Sequence, residues 1–121
     1  MRTLIIDDSR TTRTIIARLL RGLGYETFEA GDGLDALALI ESHDPPDIAF
    51  VDWNMPEMSG IEFVQSARAN PRCNAMRIVM VTSENEIDRV SEALAAGANE
   101  FLMKPFSRAA LEEKIALLGA R

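Results

Sequence analysis

Five short, continuously apolar runs alternate with amphipathic helical patterns along this chain, and that alternation restricts the fold more than any other feature. Residues 3–6 are β-branched or large aliphatic and stop at Asp7 and Asp8, which reads as a buried strand reaching a polar edge. After Ser9, a suitable N-cap, Ile15, Ile16, Leu19, Leu20 and Leu23 recur at helical spacing, and Gly24 ends that helix. A second strand over residues 25–30 turns at Gly31-Asp32-Gly33 into a helix on Leu34, Leu37, Ala38 and Ile40, stopped by Pro45 and Pro46. Residues 48–51 are the third run, closed by Asp52 and followed by a loop over 53–60. A helix on Ile61, Phe63, Val64 and Ala67 breaks at Asn70-Pro71, and a fourth strand over 78–81 ends at Thr82. Ser83 and Glu86 have capping-box spacing, with Asn85 an equally good cap, for a helix on Ile87, Val90 and Leu94 that Gly97 closes. Residues 101–103 supply the fifth strand, and Ser107 caps a last helix on Leu111, Ile115 and Leu118.

Each return to a parallel strand needs a crossover, so this order predicts a doubly wound α/β domain: a five-stranded parallel sheet with both faces covered. The length of 121 residues and 47% hydrophobic content suit one domain over residues 1–121, with no room for a second. A formal charge of -6 argues against nucleic acid as a partner, since phosphate affinity comes mainly from clustered Lys and Arg. The lone Cys73 reads as a thiol in a reducing compartment, and Leu4-Ile5-Ile6 is far too short for a signal core or membrane span. A cytoplasmic protein is expected.

In doubly wound sheets ligands sit at the carboxyl ends of the strands. Those ends carry Asp7, Asp8, Asp52, Thr82 and Lys104: three acids, one hydroxyl and one cation. Clustered carboxylates repel unless a cation joins them, and oxygen-only ligation by one or two carboxylates with waters and phosphate oxygens suits Mg²⁺. A carboxylate can also attack phosphorus to give an aspartyl phosphate, a reaction that asks the protein chiefly for positioning and charge neutralisation. Asp52, ending the central-looking strand, is the candidate nucleophile. Lys104 and Thr82 would each contact a phosphoryl oxygen.

Asp7-Asp8, Asp52-Trp53-Asn54-Met55-Pro56 with Gly60, Thr82-Ser83 and Lys104-Pro105-Phe106, in order and spanning the chain, resemble a response-regulator receiver domain. The resemblance implies a (βα)5 flavodoxin-like fold with strand order 2-1-3-4-5, an order the receiver family is known for. It implies that Asp52 takes phosphate from a histidine kinase or a histidine phosphotransfer protein. Asp7, Asp8, Asp52 and the Asn54 backbone carbonyl would bind Mg²⁺. It further implies a cis bond at Lys104-Pro105, a switch pair of Thr82 and Phe101, and an output face on the fourth helix, fifth strand and fifth helix. Side chains at Asn54 and Glu84 would tune phosphate lifetime, with the small Ser83 leaving water access. The Asp-Trp-Asn-Met-Pro run with Glu84 is similar to stand-alone chemotaxis regulators of the CheY type, which are monomers whose output is a flagellar switch component.

Taken singly, these residues have ordinary structural readings. Asp7 and Asp8 suit a helix start, Asp52 a turn, Thr82 a cap, Lys104 a solvated surface and Phe101 core packing. Their joint placement favours function. Arg10, Arg13, Arg18 and Arg21 read as a solvated helix face, His43 as a surface residue, and Met55 and Met58 as loop residues covering the core edge. Trp53, in a loop beside three acids, is expected to be partly exposed. Competing functions are a phosphorelay intermediate, the receiver of a longer regulator, a scaffold without phosphorylation, and an aspartyl-phosphate phosphatase. The last lacks the second acid expected two residues after its nucleophile, where Asn54 stands.

Overall fold

The computed structural model describes residues 1–119, so the last two residues of the expected 1–121 domain lie outside the description. Along the chain run β1 (Arg2–Ile6), α1 (Arg10–Gly22), β2 (Glu26–Ala30), α2 (Gly33–Ser42), β3 (Ile48–Asp52) and α3 (Gly60–Arg68). Then come β4 (Arg77–Thr82), α4 (Val90–Ala96), β5 (Glu100–Met103) and α5 (Arg108–Leu117). All five strands pair in parallel in the order β2-β1-β3-β4-β5, as the sequence predicts.

The strands are apolar throughout because successive side chains feed two separate cores. Ile5, Ile48, Phe50, Val79, Val81 and Leu102 pack against Ile16, Ala17 and Leu20 of α1 and Leu111 and Ile115 of α5. Leu4, Ile6, Ala49, Val51, Ile78 and Met80 face the other way, against residues of α2, α3 and α4. Burying one such large side chain contributes about 1.5 to 3 kcal/mol, so the central strand, buried along its whole length, anchors both layers. Ser9, Ser59 and Ser107 cap α1, α3 and α5, accepting from the N–H of Thr12, Glu62 and Ala110 respectively.

Two expectations need correction here. The segment after β4 does not start as an α-helix: residues Glu84–Arg89 form a 3₁₀ turn, and α4 proper has only 7 residues. Ile15, Leu34 and Leu94, read as parts of apolar stripes, are 55%, 50% and 43% exposed. Helix α1 seats itself through Ile16, Ala17 and Leu20, and α4 through Val90 and Ala93, which leaves a flanking apolar residue of each on the rim.

A parallel sheet with right-handed crossovers collects the helix C-termini at the amino edge of the strands, where carbonyls lack partners. Arginines supply them. Arg68 donates through Nε to Gly97 O (2.9 Å), through Nη1 to Cys73 O (2.7 Å) and through Nη2 to Met76 O (2.8 Å) and Asn99 Oδ1 (2.9 Å). Asn99 Oδ1 also accepts from the Ile78 N–H at the start of β4 (2.7 Å). Arg72 reaches Ile40 O in the last turn of α2 and His43 O just past it, Arg77 reaches Leu118 O past α5, and Arg2 reaches Asp44 O.

Candidate functional site

At the opposite, carboxyl edge the strand order reverses between β1 and β3, and the chain places Asp7 after β1 and Asp52 at the end of β3. One carboxylate oxygen from each of Asp7, Asp8 and Asp52 lies within 4.8 Å of the others; Asp7 and Asp52 are buried and Asp8 is exposed. Lys104, delivered just beyond β5, sets its Nζ 3.4 Å from Asp52 Oδ1 and 3.9 Å from Asp7 Oδ2. The Lys104 N–H donates to Thr82 O (2.7 Å), which ties β5 to the end of β4, and the Lys104-Pro105 bond is cis. Thr82 is fully buried, and its hydroxyl donates to Ser83 O at 3.3 Å.

Backbone packing holds Asp52 in place. The Gly60 N–H donates to Trp53 O (2.8 Å), folding the loop back so that α3 begins directly over the end of β3. A side chain at Gly60 would collide with the Asp52 carbonyl, so the glycine is required by close approach.

Burial pushes the Asp7 carboxyl above its ordinary range, opposed by the Ser9 N–H on Oδ1 (2.8 Å) and by the Lys104 charge. Burial, reinforced by the Asp7 charge, pushes Asp52 up to about 6 despite Lys104. One lysine thus falls short of compensating three acids. Asp7 Oδ2 is buried and has no hydrogen-bond partner among the described residues. An orphaned carboxylate oxygen in an all-oxygen donor set fits a hard divalent ion, and Mg²⁺ suits a site built from few protein ligands.

The family described as the response regulator receiver domain matches residues 3–116. The chain belongs to that family. This receiver is 44% identical to a chemotaxis protein CheY of Pseudomonas aeruginosa over 116 residues, covering 95% of this chain and 93% of that protein. The solved structure of the chemotaxis protein CheY4 of Vibrio cholerae superposes with a TM-score of 0.89 at 33% identity, covering 97% of both chains. The receiver domain of a Pseudomonas aeruginosa sensor histidine kinase, with magnesium coordinated in its active-site cleft, superposes at 0.87 and 28% identity, covering 98% of both chains. The chain is therefore the receiver domain of a two-component response regulator.

Other residues of this receiver sit around that centre. Phe101, half-buried on β5, packs against the α2–α4 core and carries Lys114 Nζ over its ring at 4.7 Å. Glu84 is exposed on the 3₁₀ turn. The Asn54 side chain points across the cleft, and its Nδ2 donates to Glu86 Oε2 (2.6 Å). Glu86, read from sequence only as a cap, also accepts through Oε1 from the Ser83 N–H (3.1 Å) and Oγ (2.8 Å). Met55 and Met58 cover the core edge as expected.

Trp53 is not partly exposed: it is 0% exposed, in the core beneath α3 and α4, with the Arg89 guanidinium 4.8 Å over its ring. The alternation that sends Ala49 and Val51 into that core continues by two residues to Trp53, a signal lost when the residue is assigned to the loop. Arg13 also departs from the solvated-face reading. It donates to Asp7 O and pairs with Glu29 at 3.3 Å, bracing the acidic turn from α1. Among the described residues, no helix is long and apolar enough to cross a membrane.

Proposed function

We propose that Asp52 is the phosphoacceptor of this receiver and that a phosphohistidine protein is its donor. The observation that carries the reading is the meeting of Asp7, Asp8 and Asp52 oxygens within 4.8 Å, with Lys104 Nζ 3.4 Å from Asp52. Asp7, Asp8, Asp52 and the Asn54 carbonyl are the residues that would hold Mg²⁺, which when bound neutralises charge between carboxylates and phosphoryl oxygens. An Asp52 carboxylate oxygen forms the bond to phosphorus while the P–N bond breaks, its electron pair staying on the donor imidazole. Hydrolysis returns the carboxylate and inorganic phosphate. Lys104 pairs with one phosphoryl oxygen, and the Thr82 hydroxyl leaves Ser83 O to donate to another.

Movement of Thr82 would free space for Phe101 to turn inward, altering the face made by α4, β5 and α5 for an output partner. The chain thus acts as one receiver unit and as a switch that assists its own phosphorylation and dephosphorylation, without turning over a small substrate. Asn54 and Glu84 are assigned to phosphate lifetime. The names of its chemotaxis relatives support a place in chemotaxis signalling, with a flagellar switch component as the output protein.

Acetyl phosphate with Mg²⁺ tests the assignment. Mass spectrometry should find one phosphoryl group on the peptide containing Asp52 and none in Asp52→Asn. Labelling that persists in Asp52→Asn moves the acceptor elsewhere.

A further inference from the structure

Two loops flank Asp52, one after β3 and one after β4, and a single carboxylate ties them together. Glu86 accepts from Asn54 in the first loop and from both the N–H and the hydroxyl of Ser83 in the second. We infer that Glu86 is a latch that competes with the phosphoryl group, holding the β4 loop in its unphosphorylated position and lowering the readiness of Asp52 to be phosphorylated. The inference rests on the phosphoacceptor role proposed for Asp52.

Three observations set the sign. Thr82 must turn its hydroxyl away from Ser83 O to reach a group on Asp52, and Ser83, the next residue, is anchored to Glu86 twice. The Ser83 N–H is the first backbone donor beyond Thr82, and while it serves Glu86 it is not free to face an incoming anion. Glu86 also carries the same sign of charge as a phosphoryl group, and it is held to Asn54, two residues beyond Asp52. Contacts made only in the unphosphorylated position must be lost before the phosphorylated one fills, which reduces apparent affinity by the fraction of molecules that are competent. Glu86 is therefore a positioning residue, acting through Ser83 and Asn54.

The test uses the full chain, with beryllium fluoride plus Mg²⁺ as the phosphoryl mimic and acetyl phosphate for covalent labelling. Glu86→Ala should bind the mimic and label about fivefold faster or tighter, the size of one net hydrogen bond. Glu86→Gln, which keeps a single acceptor oxygen, should fall between Glu86→Ala and wild type. In a Ser83→Ala background the gain from Glu86→Ala should shrink, a non-additivity that a purely structural role would not produce. Unchanged or weaker mimic binding in a folded Glu86→Ala overturns the latch; if that variant fails to fold, Glu86→Gln behaving as wild type overturns it. Wild type that is never labelled sinks the Asp52 assignment and the latch together, whereas labelled wild type with unmoved Glu86 variants sinks the latch alone.

Discussion

The two edges of the sheet solve opposite electrostatic problems with opposite results. At the amino edge, helix C-termini present carbonyls, and Arg68, Arg72, Arg77 and Arg2 satisfy them with directed donors. At the carboxyl edge, three acids converge on one lysine, and a buried oxygen of Asp7 goes without a hydrogen bond. The contrast teaches where this fold keeps stability and where it gives it up. A satisfied edge fixes the scaffold, and an unsatisfied one keeps an unmet demand for cations that a signalling reaction can use.

The amino edge should lose most at Arg68. Arg68→Ala should remove four hydrogen bonds to the loops before β4 and β5, leaving Asn99 Oδ1 and Cys73 O only the Ile78 and Met76 N–H, and cost about 3 kcal/mol, a fall in Tm of about 10 °C by calorimetry. A loss below about 1 kcal/mol would mean that the amino edge is not what fixes the scaffold. The carboxyl edge should respond with the reverse sign. Asp52→Asn removes a charge that burial and Asp7 both penalise, and should raise stability by about 1 to 2 kcal/mol in urea titrations without metal. Destabilisation would show that Lys104 already compensates the site.

The same acid predicts a pH signature. The Asp52 carboxyl rises from an ordinary value near 3.8 to about 6 on folding, so between those values the folded state binds more protons than the unfolded one. Its contribution to stability therefore falls as pH rises through that window. The advantage of Asp52→Asn over wild type should grow from pH 4 to 6 and level off above, and a flat difference would contradict it. Smallest of all is the expected optical effect. Trp53 emission should resist quenching by acrylamide, because the indole is sealed in the core, and efficient quenching would place the ring outside it.

Much of this was legible beforehand. The apolar runs gave both strand positions and their parallel arrangement because burial on two faces leaves no room for polar residues. The acids were legible because they terminate those runs. Trp53 was misread since the count of two was not carried past Asp52. Arg68 escaped notice because its acceptors lie as far as 29 and 31 residues away, and an arginine closing a helix looks like an ordinary surface charge. Glu86 was seen only as a cap, its bond to Asn54 spanning 32 residues that no local pattern connects.

If Asp52 is the phosphoacceptor proposed above, the 3₁₀ turn between β4 and α4 would set the gain of the device. Its hydrogen bonds have poorer geometry than those of an α-helix, and the 7-residue helix that follows buries only Val90 and Ala93. Re-seating such a segment takes little work, so a modest free-energy difference supplied at Asp52 would be enough to move most of the molecules. Stiffening that stretch would leave the chemistry intact and yet mute the reply, much as a heavier pointer dulls a sensitive balance.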